Sequence, residues 1–206
     1  TIPIFFQSDN GLIYANEDLN RLIVLNQDFE LKKSIPIAAD YKCFFEFPND
    51  SILWIGTDQG LVKFNKLNNQ FQIYNEDIGL PNSLIYGIVG DDNQQLWLST
   101  ASGIVSLNPN SLEVKKYNIY DGLNFLEYNT HAYEKKSNGE IVFGSAEGLT
   151  VFYPQNIQPT NYSASPKITS IKINDDFICN SSIIFYCKSL IPHCKLYFLY
   201  FKYTIT

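Results

Sequence analysis

The feature that most restricts what this chain can fold into is that it repeats itself. Residues 53–65 read LWIGTDQGLVKFN and residues 96–108 read LWLSTASGIVSLN. Trp54 and Trp97 stand 43 positions apart, as do Gly60 and Gly103, Asn65 and Asn108, Tyr74 and Tyr117, and Gly79 and Gly122. A third copy, IVFGSAEGLTVFYP at 141–154, matches through Gly148, Leu149, Phe152 and Pro154 at an offset of 45, so two residues are inserted ahead of it. A weaker copy, GLIYANEDLNRLIVLN at 11–26, keeps the apolar-turn-apolar shape without the Trp. Self-similarity at a period of roughly forty residues belongs to solenoids, propellers and arrays. Solenoid repeats of this length carry long amphipathic helices, and no 3.6-residue pattern is present here.

Each copy divides into four short strands. In the clearest unit the expected strands are 83–90, 95–100, 103–108 and 112–119, forming one antiparallel sheet with Trp97 buried. Asp91-Asp92-Asn93 and Asn108-Pro109-Asn110 supply turns, and Gly103 gives the positive φ of a tight hairpin. The last strand, LEVKKYNIY, alternates with polar residues as an outer strand facing water does. Four antiparallel strands at this period are a propeller blade. The expected fold is therefore all-β: about four four-stranded propeller blades over residues 1–160. The Pro-containing linker QNIQPTNYSASP then leads into a separate β element over residues 163–206.

Composition limits the partners. A net charge of −6 and a single Arg, Arg21, exclude the basic stripe that nucleic-acid binding needs. The aromatic content of 15% suits strands, where such side chains pack on a pleated surface. Cys43, Cys179, Cys187 and Cys194 lack the paired spacing of a zinc knuckle, so no metal is expected, and a disulfide among the last three stays open. The chain opens at Thr1 and contains no Met, which reads as a processed or excised segment and leaves room for an export signal ahead of it. It has no apolar stretch of membrane-spanning length, so any membrane attachment lies outside these residues.

The stretch from Leu53 to Pro109 closely resembles the propeller repeat of bacterial two-component regulators, which forms the periplasmic sensor part of hybrid histidine kinases. The likeness is strong over 50–154 and looser over 5–49. SASPKITSIKINDDFI, at 163–178, resembles the entry to the triple-tyrosine β-sandwich that follows the propeller in that family. The resemblance implies a periplasmic location and an oligosaccharide ligand. It also implies a homodimer whose packing changes on binding, and a kinase outside this segment. Sensors of this kind carry more blades than four.

The residues themselves give little support to catalysis. Asp58, Glu76, Asp77, Asp121 and Glu147 are the candidate carboxylates for glycosidase chemistry, but each sits in a repeat turn where such residues form turns. A metal-dependent lyase would need clustered His, and only His131 and His193 occur. No cofactor motif is present. Binding is the better reading. The connections from an outer strand to the next inner strand emerge on the same face as the turns between second and third strands. On that face Tyr120, Phe125 and Tyr128 offer stacking surfaces, and Asp58, Gln59, Asn82, Asn124 and Asn129 offer hydrogen bonds, a mixture suited to sugars. The segment 121–130 reads as longer than its counterpart 77–83, with two added aromatics. On this reading Phe125→Ala or Tyr128→Ala weakens a glycan by about 1–2 kcal/mol and leaves the fold intact. The rival readings are a protein-interaction propeller and a propeller lyase or glycosidase.

Overall fold

The computed structural model describes residues 4–17, 21–157, 170–173 and 176–180. The chain divides into two compact units, Thr1–Ile157 and Gln158–Thr206. The first is a succession of antiparallel meanders. Blade one is β1 (Phe5–Gln7), β2 (Ile13–Glu17), β3 (Arg21–Leu25) and β4 (Leu31–Pro36). Blade two is β5 (Tyr41–Phe45), β6 (Ile52–Thr57), β7 (Leu61–Asn65) and β8 (Phe71–Tyr74). Blade three is β9 (Ile85–Gly90), β10 (Leu96–Thr100), β11 (Gly103–Leu107) and β12 (Val114–Tyr117). Blade four is β13 (Tyr133–Lys135), β14 (Ile141–Gly144) and β15 (Leu149–Phe152), three strands among the described residues where four were expected. After β15, Pro154 opens a 3-10 turn over Pro154–Asn156, at the position that Pro109 holds in the β11–β12 turn. The second unit contains a two-stranded antiparallel sheet, β16 (Ser170–Ile173) with β17 (Asp176–Asn180). No α-helix occurs among the described residues, and none of their helices could cross a membrane.

The repeated letters now have physical reasons. Thr57 and Thr100 each bond the tight turn that follows. Their hydroxyls donate to Gly60 O at 2.8 Å and Gly103 O at 2.9 Å, and accept from Gln59 N and Ser102 N at 3.0 Å. Asn65 and Asn108 close the next turns as side-chain mimics of the backbone, accepting from Leu67 N and Asn110 N at 2.9 Å. The expected outer strand 112–119 ends sooner, at Tyr117, because Asn118 caps a 3-10 turn over Ile119–Asp121. Asn118 accepts from Tyr120 N while Asp121 reaches back to Asn118 N, a capping box that halts the strand. Asn75 starts the equivalent turn, Glu76–Ile78, in blade two.

Glycine at 103 is required twice over. Its φ is 107°, and a Cβ there would strike the carbonyl of Tyr117. Gly103→Ala is expected to cost about 1–3 kcal/mol, read as a lowered denaturation midpoint, because both the backbone and the neighbouring strand must yield.

Successive blades stack through their broad faces, with the inner strands β1, β5, β9 and β13 adjacent in turn. Three cores result. Tyr14, Leu22 and Val24 of blade one meet Leu53, Ile55, Val62 and Phe64 of blade two. Trp54 and Leu61 of blade two meet Ile88, Leu98 and Val105 of blade three. Trp97 and Ile104 of blade three meet Ile141 and Phe143 of blade four. Tyr14 faces Val24 as Trp54 faces Lys63 and Trp97 faces Ser106, so blade one places a Tyr where blades two and three place the Trp. Trp97 is 4% exposed, stacks on Tyr117 and donates Nε1–H to Asp91 at 3.0 Å. The matching face of blade four is uncovered: Leu149 is 66% exposed, whereas its counterpart Ile104 is 2% exposed.

Cys43 lies wholly buried on β5 beside Gly56. Burial pushes its thiol well above the ordinary value of 9.0 and pushes Tyr41 and Tyr133 above 10.0. The folded chain thus keeps protons that the unfolded chain releases. The stability these groups confer is complete below their unfolded values and is lost as pH rises beyond about 9. Thermal melts are expected to fall steadily from that pH upward. A thiol reagent is expected to label Cys43 only after denaturation, in a variant with Cys179, Cys187 and Cys194 replaced by Ser.

Candidate binding face

The loop face gathers the outer-to-inner connections and the tight turns between second and third strands. Most of the sequence-predicted residues stand on it. Tyr120 sits at the tip of the Ile119–Asp121 turn and is 91% exposed, with Ile119 beside it at 51%. Asn124 and Asn129 are exposed, and Asn82 is half-buried, its Oδ1 accepting from Leu84 N at 2.8 Å. Asp58 and Gln59 are exposed on the β6–β7 turn. Asp58 is engaged with the preceding connection, since its Oδ1 accepts from Asp40 N at 2.8 Å.

Tyr128 stands elsewhere. It is 1% exposed, packs against Phe143 and lies in the core between blades three and four. Its hydroxyl shares a hydrogen bond of 2.9 Å with Thr150. Burial raises its phenol above the usual range, and the bond to Thr150 works in the opposite sense. The physical reason is positional. Counting 43 residues back from Tyr128 gives Ile85, which is 0% exposed at the start of β9. Tyr128 therefore fills the apolar socket that Ile85 fills one blade earlier, and it offers no stacking surface. Phe125 is intermediate: half-buried, edge-on to Tyr128 at 5.6 Å, and lying over Gly148 on the next blade's turn.

The expected lengthening of 121–130 also moves. From Asn118 to Tyr128 the connection keeps step with Asn75 to Ile85, residue for residue. The two extra residues fall after Tyr128, in a bulge at the entry to β13. There Asn129 N donates to Gly144 O at 2.9 Å, Gly144 N donates to Ala132 O at 2.7 Å, and His131 takes a φ of 63°. Smaller irregularities occupy the same place in β5, between Tyr41 and Cys43, and in β9 opposite Ser99 and Thr100. These bulges aim side chains that the repeat pattern does not single out. Lys42 pairs with Asp40 at 2.5 Å, and Tyr86 donates to Glu127 at 3.4 Å. Bulge residues are recognisable in the sequence only as breaks in strand alternation, which is why Lys42, Tyr86 and His131 escape a motif search.

Two of the candidate carboxylates, Asp121 and Glu76, are taken up by the turns. Asp121 caps the 3-10 turn, and Glu76 accepts from Ser83 at 2.5 Å, a bond that holds its carboxyl below the usual range. Among the described residues no three His, Cys, Asp or Glu side chains come together as a metal site. The face offers a rim of amides, the exposed Tyr120 and the edge of Phe125.

No protein-family model matches the chain. A curated relative, histidine kinase P4 of Formosa agariphila, is 28% identical over 100 residues, which is 48% of this chain and 7% of the relative. A solved structure described as the extracellular domain of a hybrid two-component system from B. thetaiotaomicron superposes with a TM-score of 0.69 at 22% identity, covering 85% of this chain and 26% of that one. A streptogramin B lyase superposes with a TM-score of 0.54 at 18% identity, covering 74% of this chain and 54% of the lyase. The chain thus shares its fold with sensor extracellular domains and spans a small part of their length.

Proposed function

We propose that this chain is the extracytoplasmic, ligand-sensing part of a hybrid two-component regulator. One observation carries the reading: the chain is alike in sequence to a histidine kinase over 48% of its length and alike in fold to a sensor's extracellular domain over 85%, so the two likenesses overlap. The sensing part stands in the periplasm and performs no catalysis; phosphoryl chemistry belongs to a kinase elsewhere in the protein. The uncovered Leu149 face packs against a further blade of the same ring, and the β-sandwich expected over residues 163–206 lies largely outside the described residues.

The ligand in this reading is an oligosaccharide held on the loop face. Tyr120 stacks on a sugar ring while Asn82, Asn124 and Asn129 bond hydroxyls, with Asp58, Gln59 and the edge of Phe125 at the margin. Calorimetry with a panel of oligosaccharides tests it. Tyr120→Ala is expected to weaken the bound glycan by about 1–2 kcal/mol with an unchanged melt, as for one lost aromatic contact. Absence of binding across the panel, or equal binding by Tyr120→Ala, would remove the oligosaccharide from the account. The exposed pair Ile119 and Tyr120 also fits a second reading, in which the face grips a protein partner. In that case the same substitution abolishes capture of the partner and leaves glycans irrelevant.

A further inference from the structure

Blades two and three differ at one buried point that the repeat would lead one to expect identical. In blade three the indole N–H of Trp97 donates to Asp91 at 3.0 Å, and Asp91 is itself held by Asn93 N and Gln95 N at 2.9 Å. Asp91 opens a turn in which Gln94 N donates to Asp91 O; in blade two the same turn runs from Phe47 O to Asp50 N. Phe47 thus stands where blade three carries its carboxylate. The consequence is that Trp54, 1% exposed, has an Nε1–H with no hydrogen-bond partner. A buried donor without an acceptor is costly, and such groups call for an explanation.

The second difference concerns charge. Opposite Trp54 on β7 stands Lys63, where blade three has Ser106 opposite Trp97. Lys63 Nζ lies 5.4 Å from the Trp54 ring centroid and makes no ion pair among the described residues. Trp54 and Lys63 line a groove of about 360 Å³ between blades two and three, where Asn49, Gln94 and Asn110 add amide and backbone groups. Its one lining carboxylate, Asp50, is turned to Ile52 N at 3.0 Å. The groove lies among the β5–β6, β9–β10 and β11–β12 turns, at the opposite end of the blades from the loop face, and does not depend on the oligosaccharide reading.

Blade two has therefore lost the internal acceptor and gained a cation at the same place. We propose that this groove binds the carboxylate of a small hydroxycarboxylate. One carboxylate oxygen accepts the Trp54 indole N–H, in the role that Asp91 performs for Trp97. The Lys63 ammonium, on a flexible stem, swings from the ring face to pair with the same group and opens the way to the indole. The amides of Asn49, Gln94 and Asn110 bond the ligand's hydroxyls. The volume lies at the small end of ligand sites, which suits a single ring or a short acid.

The two tryptophans make the test direct, because the chain has two indole N–H resonances in a proton–nitrogen correlation spectrum, and Trp97→Phe identifies which is which. Titrating the whole chain with glucuronate is expected to move the Trp54 indole signal saturably while the Trp97 signal stays. Glucose, which has the same ring without the carboxylate, should move neither. Lys63→Ser, which gives blade two the residue that blade three carries, should weaken glucuronate about tenfold, as expected for one charge-assisted hydrogen bond. A Trp54 signal that does not respond, or responds equally to glucose, or responds equally in Lys63→Ser, would overturn the proposal and leave the N–H to a structural water. Binding on the loop face would be untouched by any of these outcomes.

Discussion

Lys66→Ala is expected to destabilise the first unit by about 3–5 kcal/mol, the cost of stranding a buried charge. Lys66 Nζ lies 2.7 Å from Glu46 Oε2, and the two side chains are 8% and 4% exposed. Glu46 also accepts from the Ser8 hydroxyl at 2.8 Å and from Asp9 N at 2.7 Å. Ser8 and Asp9 belong to blade one, whereas Glu46 and Lys66 belong to blade two, so this cluster clamps the two blades at one end. Removing the ammonium leaves Glu46 with hydrogen bonds but no counter-charge in a site that excludes water. Denaturant titration measures the loss. The double variant Glu46→Gln, Lys66→Met removes both charges and should return to within about 1–2 kcal/mol of the parent. A single variant that melts with the parent would show that the clamp is open in solution.

Tyr128→Ala should be nearly as damaging, at about 3–5 kcal/mol, because an aromatic ring is deleted from a close-packed core. Tyr128 touches Phe125 and Phe143, and its hydroxyl bonds Thr150 on β15 of blade four. Tyr128→Phe keeps the ring and should cost about 1 kcal/mol, the value of one hydrogen bond. Tyr120→Ala, on the same connection, should leave the melt unchanged because that side chain is 91% exposed. The three together separate scaffold from face: one connection carries both a core anchor and a free aromatic. Equal melts for Tyr128→Ala and Tyr120→Ala would place Tyr128 on the surface after all.

The blades were legible because their signals are local and repeated. Trp54 and Trp97, the Gly60 and Gly103 turns, and the Asn65 and Asn108 turn closures each recur at one spacing, and each has its own short-range cause. The end of the outer strand was missed because Asn118 and Asp121 form a capping box inside a stretch whose alternation suggests extension. Tyr128 was misplaced for a different reason. An aromatic among loop residues reads as surface, and only strict counting against Ile85 shows that it occupies a core position. The two-residue insertion was counted correctly, but an offset gives a number and not a place. The Lys66–Glu46 clamp had no signal at all: both residues stand in turns that polarity assigns to solvent, and their meeting depends on how blades one and two stack. The orphaned Trp54 N–H could have been suspected, since the repeat aligns a carboxylate-bearing turn with Phe47-Pro48, but the contact between Asp91 and Trp97 had first to be seen.

The account rests on the claim that these blades sense a ligand on behalf of a kinase. The most direct measurement is autophosphorylation of the full-length protein in membrane vesicles, with and without a glycan that calorimetry shows to bind the loop face. The account predicts that phosphorylation changes on addition of the glycan and that Tyr120→Ala shifts the response to higher glycan concentration. Phosphorylation that is the same with and without bound glycan would contradict it.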